Sequence, residues 1–245
     1  MNRVLIKVAI LSGIGVVLFA CANGPATDEL LRQGKALLDG NGQKQLTSDE
    51  ISAGLKEALH VGTETVVAQL GRPDGFNKDR AIHIPLPDKL ANVKSKLGRY
   101  GLDKNLADLE LRLNRAAETA TPLAKELFWK AIRNLSWSDI QGIYHGPPDA
   151  ATRYFQTNMS PKLARTMRPV VEQALEKVGA IRSYDNFKDR YAAIPFMPDI
   201  KSDLASHTVN KSIDGIFYYL AKEEAAIRRD PVKRTTEILK KVFGG

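Results

Sequence analysis

Leu102, Leu106, Leu109, Leu113, Ala116, Ala120, Leu123 and Leu127 follow one another at alternating steps of four and three residues. An α-helix brings such positions onto one face. The spacing predicts a long helix starting near Asp103, with an apolar seam that packs against a second helix at a shallow angle. Ala116, Ala117, Ala120 and Ala124 cluster along it, and side chains this small let a neighbour approach closely. Pro122 interrupts the run. The helix is therefore expected either to kink there or to restart, with Thr121 as cap and Pro122 at its first position.

Helical periodicity recurs along the chain. Residues 28–38 are a short helix candidate. Thr47-Ser48-Asp49-Glu50 is a capping box. The helix it opens runs to about Leu70, burying Ile51, Leu55, Leu59, Val66 and Leu70, and Gly71-Arg72-Pro73-Asp74-Gly75 ends it. Ile82-His83-Ile84-Pro85-Leu86-Pro87 alternates like a strand, but its prolines donate no hydrogen bond, so an edge strand or a polyproline segment is expected. Asp88 caps a helix to about Arg99, and further helices are expected at about 137–144, 148–157, 161–178 and 184–192. Ile194-Pro195-Phe196-Met197-Pro198-Asp199 echoes Ile84 to Asp88, and the two pieces are candidates to pair as a small ribbon. A final long helix is expected over 200–229, with Val209, Ile213, Ile216, Phe217, Leu220 and Ile227 as its apolar stripe, then Pro231 and a last helix near 232–242. The fold class is all-α: a single multi-helix bundle with two short proline-containing extended segments, spanning 47–245. Trp129 and Trp137 read as core anchors.

The chain has one cysteine, Cys21. It closes Leu18-Phe19-Ala20-Cys21 behind a basic start (Arg3, Lys7) and an apolar run of residues 8–19. That run is short of the roughly 18 residues that span a bilayer. Charge, apolar run, small residue and cysteine in that order read as a lipoprotein signal over residues 1–20, with Cys21 the lipidated residue. Phe19 departs from the small residue usual at its place. Residues 21–46 then form a tether and linker with the short helix, and Ala22 rather than an acidic residue points to the outer membrane. The domain is expected to face the periplasm, held to the membrane by its N-terminal lipid. Ordinary cleavage leaving a free thiol is the alternative.

With a single cysteine, an intrachain disulfide and a cysteine-based metal site are both excluded. Removing residues 1–20, which hold two basic and no acidic side chains, lowers the net charge from +8 to +6. A mild positive excess suits anionic lipid head groups, lipopolysaccharide or cell-wall polymers. Nucleic acid is not an expected partner, since no basic run is interleaved with aromatics.

Asp39, Asn41, Gln43, Thr47 and Glu50 fall at calcium-loop spacing. Lys44 stands where the loop's glycine belongs, however, and a linker running into a capping box explains the segment without a metal. Signatures such as Gly-x-Ser-x-Gly in the mature chain, His-Glu-x-x-His and a phosphate-binding glycine loop are missing. His60, His83, His145 and His207 lack ligand spacing and read as surface or capping residues. No metal site and no cofactor are implied. The informative polar cluster is Asn114, Arg115, Glu118, Arg153, Lys211, Asp214, Glu224 and Arg228. Glu224 sits on an apolar stripe, and an unpaired buried charge is costly, so Arg115 or Arg153 is its expected partner. The cluster reads first as a structural ion-pair network and second as a pocket for an anionic ligand with arginine forks.

Six segments occur in a distinctive order: Ile51 to Leu59, Asp74-Gly75-Phe76, Ile84 to Pro87, Asn114 to Glu118, Ala151 to Phe155 and Asp214 to Phe217. Glu223-Glu224, Ile227-Arg228, Asp230-Pro231 and Arg234-Thr235 close the series. In these the chain resembles the bacterial family called domain of unknown function 4197, found on exported proteins and lipoproteins, over about Leu46 to Gly244. The resemblance implies envelope location and a helical domain, and no activity. Three readings stand. The first is a non-enzymatic, lipid-tethered helical domain that binds an envelope protein or an anionic envelope component. The second is an enzyme with its site at Arg115, Glu118, Arg153 and Glu224. The third is a carrier for an apolar or lipid ligand between helices.

Overall fold

Apolar residues at helical spacing dominate the sequence, and helices are what they form. The structure, a computed structural model, describes residues 46–98, 103–190 and 201–244. Among these residues eight α-helices follow one another: α1 (Ser48–Leu70), α2 (Asp88–Gly98), α3 (Lys104–Arg133), α4 (Trp137–Tyr144), α5 (Ala150–Lys177), α6 (Ala180–Arg190), α7 (Lys201–Arg229) and α8 (Glu237–Phe243). A turn of 3-10 helix, Pro231–Lys233, precedes the last. No strand occurs among the described residues, and the fold is an all-α multi-helix bundle. The second proline-bearing segment, its pairing with the first, and the helix candidate at 28–38 lie outside the described residues, as does the calcium-like loop before Leu46.

α3 is the central helix and packs against α1, α5, α6 and α7. Its seam does what the spacing predicts as far as Ala120: Leu106, Leu109, Leu113, Ala116 and Ala120 are fully buried. Leu123 breaks the pattern, being 58% exposed, and burial passes to Ala124, Phe128 and Ile132. A strict seven-residue repeat drifts about 20° per heptad around an uncoiled helix, so the seam walks off the buried face. Pro122 does not end the helix. Its ring packs on the backbone of Gly71, where an added Cβ would lie 2.9 Å from Pro122 Cγ. α5 corrects a second expectation, since the helices anticipated at 148–157 and 161–178 are one, with Pro161 and Pro169 inside. Phe155, Leu163, Met167 and Val171 keep one apolar face buried across both prolines. That continuous packing outweighs the roughly 3 kcal/mol by which an interior proline disfavours a helix.

Caps set several starts. Thr47 and Glu50 form the expected capping box on α1, and Ser136 with Asp139 forms another on α4. Glu50 also reaches Lys241 of α8, so the first and last helices pack together. Trp137 is 40% exposed and is not a core anchor. It begins α4 beside its cap, where the ring points outward. Trp129 is half-buried and stacks on His60, with ring centroids 4.2 Å apart.

Candidate functional site

The polar residues singled out by sequence do not meet in one cluster. They fall into two separate clasps and one exposed groove.

The first clasp holds the loop between α1 and α2. The Asp-Gly pair at 74–75 turns the chain back over α3, with Asp74 at φ 66°, a left-handed conformation that aspartate tolerates better than most residues. This presents the Phe76 and Asn77 N–H groups to Glu118, whose Oε1 accepts both at 3.1 Å. Glu118 is buried, and its Oε2 accepts from Arg115 at 2.7 Å. Arg115 also donates to Asp74 at 2.7 Å. Hydrogen bonds from Lys78 and Asn77, then Arg115, hold the Asp74 carboxyl well below the usual carboxylate range. The buried Phe76 ring lies against Gly215 of α7, where a Cβ would come within 2.7 Å of it.

One turn earlier on α3, buried Asn114 accepts from the Ile84 N–H at 2.9 Å and donates to the Ile84 carbonyl at 2.8 Å. A side-chain amide thus takes the place of a neighbouring strand. Residues 83–87 form no regular element and are held against α3 by this amide, with Ile84 and Leu86 buried. His83 is half-buried rather than superficial. Its Nε2 lies 2.8 Å from Glu110 Oε1 and its Nδ1 2.9 Å from the Asn77 carbonyl. Lys94 donates to Glu110 from α2 at 2.5 Å.

The second clasp joins α5 to α7. Glu224 is buried, but neither Arg115 nor Arg153 is its partner. Its oxygens accept the Ala151 and Thr152 N–H groups at 2.9 Å each and the Thr152 hydroxyl at 3.0 Å. Arg228, one turn along α7, donates at 3.2 Å and also binds the Ile143 carbonyl at 2.8 Å. Helix N-termini leave N–H groups unpaired, and a carboxylate is well suited to them. Between this clasp and α8 lies a narrow space lined by Leu55, Gly62, Phe128, Leu220 and Arg228, with room of about 20 Å³ for water centres. That holds about one water, far below the several hundred Å³ of a ligand pocket. Arg228 Nε is buried there without a hydrogen-bond partner among the described residues.

Arg153, Lys211 and Asp214 are exposed. Arg153 pairs with Asp149 at 2.9 Å while staying 67% exposed. It and Asp214 line an open surface groove of about 670 Å³ between α5 and α7, together with Gln156, Tyr218, Lys222 and Arg229. No group of three His, Cys, Asp or Glu side chains among the described residues is arranged to hold a metal. No helix among the described residues is long and apolar enough to cross a membrane.

Chemically, each oxygen of Glu118 and Glu224 already has a donor, so both carboxylates position chain segments. Sequence reasoning missed Asp74, Glu110 and Thr152. The Asp-Gly turn signal could have marked Asp74; nothing local marks the other two, since their partners are 16 or more residues away. The segments carrying the family resemblance are those tied together here: Asp74 to Phe76 and Ile84 against Asn114 to Glu118, Phe76 against Gly215, and Ala151-Thr152 against Glu224. No curated protein and no solved structure matches the chain. The family model described as "Protein of unknown function (DUF4197)" matches residues 45–244, and the chain belongs to that bacterial family of exported proteins and lipoproteins with no assigned activity.

Proposed function

We propose that this protein is a lipid-tethered envelope domain, facing the periplasm from the outer membrane, that acts by binding rather than by catalysis. The observation that carries this reading is the closure of both clasps. Arg115, Glu118, Glu224 and Arg228, which have the right chemistry for a reactive pocket, are engaged in holding loops and helix ends. A cleft lined by unpaired Arg and Glu would have favoured an enzyme, and a large dry cavity a carrier of apolar ligands. Family membership supports the envelope location. The signal ending at Cys21 supports the lipid, and 24 residues separate Cys21 from Leu46. A chain of that length reaches at most roughly 80 Å, enough to let the domain work well away from the membrane surface.

The test is metabolic labelling with an alkyne palmitate analogue, followed by membrane fractionation and envelope crosslinking. The full chain should carry label and sediment with outer membranes, and Cys21→Ala should lose both. The crosslinked species should persist when Glu118 and Glu224 are replaced by Gln at a temperature where the variants stay folded. Absence of label from the unaltered protein would sink the tether.

A further inference from the structure

The groove between α5 and α7 is unlike the clasps, because its charged groups point to solvent. α5 carries Arg153, Lys162, Arg165 and Arg168 and no acidic residue from Ala150 to Val171. All four bases are exposed. α7 runs antiparallel beside it: Thr152 meets Glu224 at one end and Arg168 donates to Ser206 at the other. The outer ridge of α7 presents Lys211, Asp214, Tyr218, Lys222 and Arg229 at helical spacing, each exposed. Of these bases, Arg153 of α5 and Lys222 and Arg229 of α7 bring cations to both sides of one valley.

The lining of this groove mixes charge, amide and aromatic groups. Tyr218, 41% exposed, stands in it with Lys222 Nζ 4.3 Å from its ring centroid. Arg229 has no ion-pair partner among the described residues. Asp149, Asp214 and Gln156 add acceptors between the cations, and Ala221 and Ala225 keep the floor low. Cations alone would suit any anion. Cations alternating with carboxylates, an amide and an exposed aromatic suit a chain that offers both negative groups and hydroxyls, since carboxylates and amides accept from hydroxyls while arginines fork onto anions. A concave valley fits an extended chain better than a flat bilayer.

We propose that the α5–α7 groove binds an anionic oligosaccharide, a sugar chain bearing carboxylate or phosphate groups. Arg153, Lys222 and Arg229 take the anionic groups, Asp214 and Gln156 the hydroxyls, and Tyr218 a sugar face. This rests on the binding reading above and gives it a site and a ligand class.

The experiment uses the full-length lipidated protein in detergent micelles and calorimetric or fluorescence titration. The probes are a galacturonic acid tetramer and a mannose-phosphate tetrasaccharide. Neutral maltotetraose, inorganic phosphate and glycerophosphoglycerol, the soluble head group of phosphatidylglycerol, serve as comparisons. At least one charged tetramer should bind, more weakly as salt rises, because exposed charges are screened. The triple variant R153Q/K222Q/R229Q should lose about tenfold or more, and Y218A a similar factor, given the strength of charge-assisted contacts and aromatic stacking. K177Q, on the far end of α5, should bind normally. Maltotetraose and phosphate should each bind at least tenfold more weakly than the charged tetramer. Failure of both charged tetramers to bind overturns the proposal, as does equal affinity of the triple variant. Binding of glycerophosphoglycerol that the triple variant loses, without tetramer binding, makes this face a lipid head-group surface instead and overturns the proposal. Palmitate labelling and crosslinking that persist through such a failure leave the tethered-domain reading standing.

Discussion

Glu224→Gln is the sharpest probe of how this bundle is held. The change keeps shape and removes charge. Glu224 Oε1 accepts from Ala151 N–H and Arg228, and Oε2 accepts from the Thr152 N–H and hydroxyl. Whichever way the amide turns, its NH2 faces two donors. The milder choice puts NH2 at the Oε2 position, because the Thr152 hydroxyl can rotate and accept. One buried N–H is then stranded, at about 1–3 kcal/mol, and the remaining bonds lose charge assistance at roughly 1 kcal/mol each. The total, about 3–5 kcal/mol, agrees with the usual effect of removing one partner from a buried ion pair. At about 2–4 °C per kcal/mol for a chain of this size, Tm should fall by roughly 6–20 °C. Thermal unfolding followed by circular dichroism at 222 nm reads this directly, and amide exchange at Ala151 and Thr152 should accelerate. Thr152→Val alone should lower stability by about 1 kcal/mol, and the double variant should fall short of the sum, since the two sites share a bond. An unchanged Tm, with Ala151 and Thr152 still protected, would refute the clasp. A normal Tm with lost ligand binding would move Glu224 into a binding site.

Three further outcomes follow from the same contacts. Burial at Glu110 opposes ionisation, but hydrogen bonds from Lys94 and His83 outweigh it and lower its pKa. A depressed folded pKa gives stability that is present above the unfolded value and is lost as pH falls through the folded one. Acid unfolding should therefore set in below about pH 4.5, and Lys94→Met should lose less stability than the parent between pH 7 and 3 in urea titrations. At the alkaline end, the hydrogen bond to Asp79, then burial, pushes Tyr219 up to about 12. Tyrosinate absorbance at 295 nm should lose a component titrating there when Tyr219 is replaced by Phe, and Asp79→Asn should bring that component back towards 10. Gly215→Ala puts a methyl within 2.7 Å of the Phe76 ring and should destabilise by about 1–3 kcal/mol, measured as a shift in urea midpoint with unchanged slope.

The fold was legible wherever one helix face repeats. α1, α4 and α7 begin and end close to their sequence signals, because caps and stripes are local. Prolines misled. Pro161 read as a boundary between two helices and Pro122 as a kink or a restart, yet both lie inside helices, because buried neighbours on both sides hold the axis. Leu123 misled for the opposite reason, fitting a repeat that an uncoiled helix does not follow. The site was legible in residue type and not in pairing. Glu224 stood out as a carboxylate on an apolar stripe, but two of its four donors are main-chain N–H groups, which have no letter in a sequence. Arg153 looked like the partner of Glu224 and is instead held on the surface by Asp149, the residue just before its own helix.

The clasps also impose an order of events on a chain that appears N-terminus first. Glu118 can seize Phe76 and Asn77 after 42 further residues. The start of α5 must wait 73 residues for Glu224, and α1 waits 191 for Lys241 to reach Glu50. Until α7 and α8 emerge, α5 has bare N–H groups at its start and α1 an uncovered apolar flank. Assembly is therefore completed only from the finished polypeptide. A truncation before Glu224 should yield a partly collapsed, protease-sensitive fragment rather than a smaller bundle.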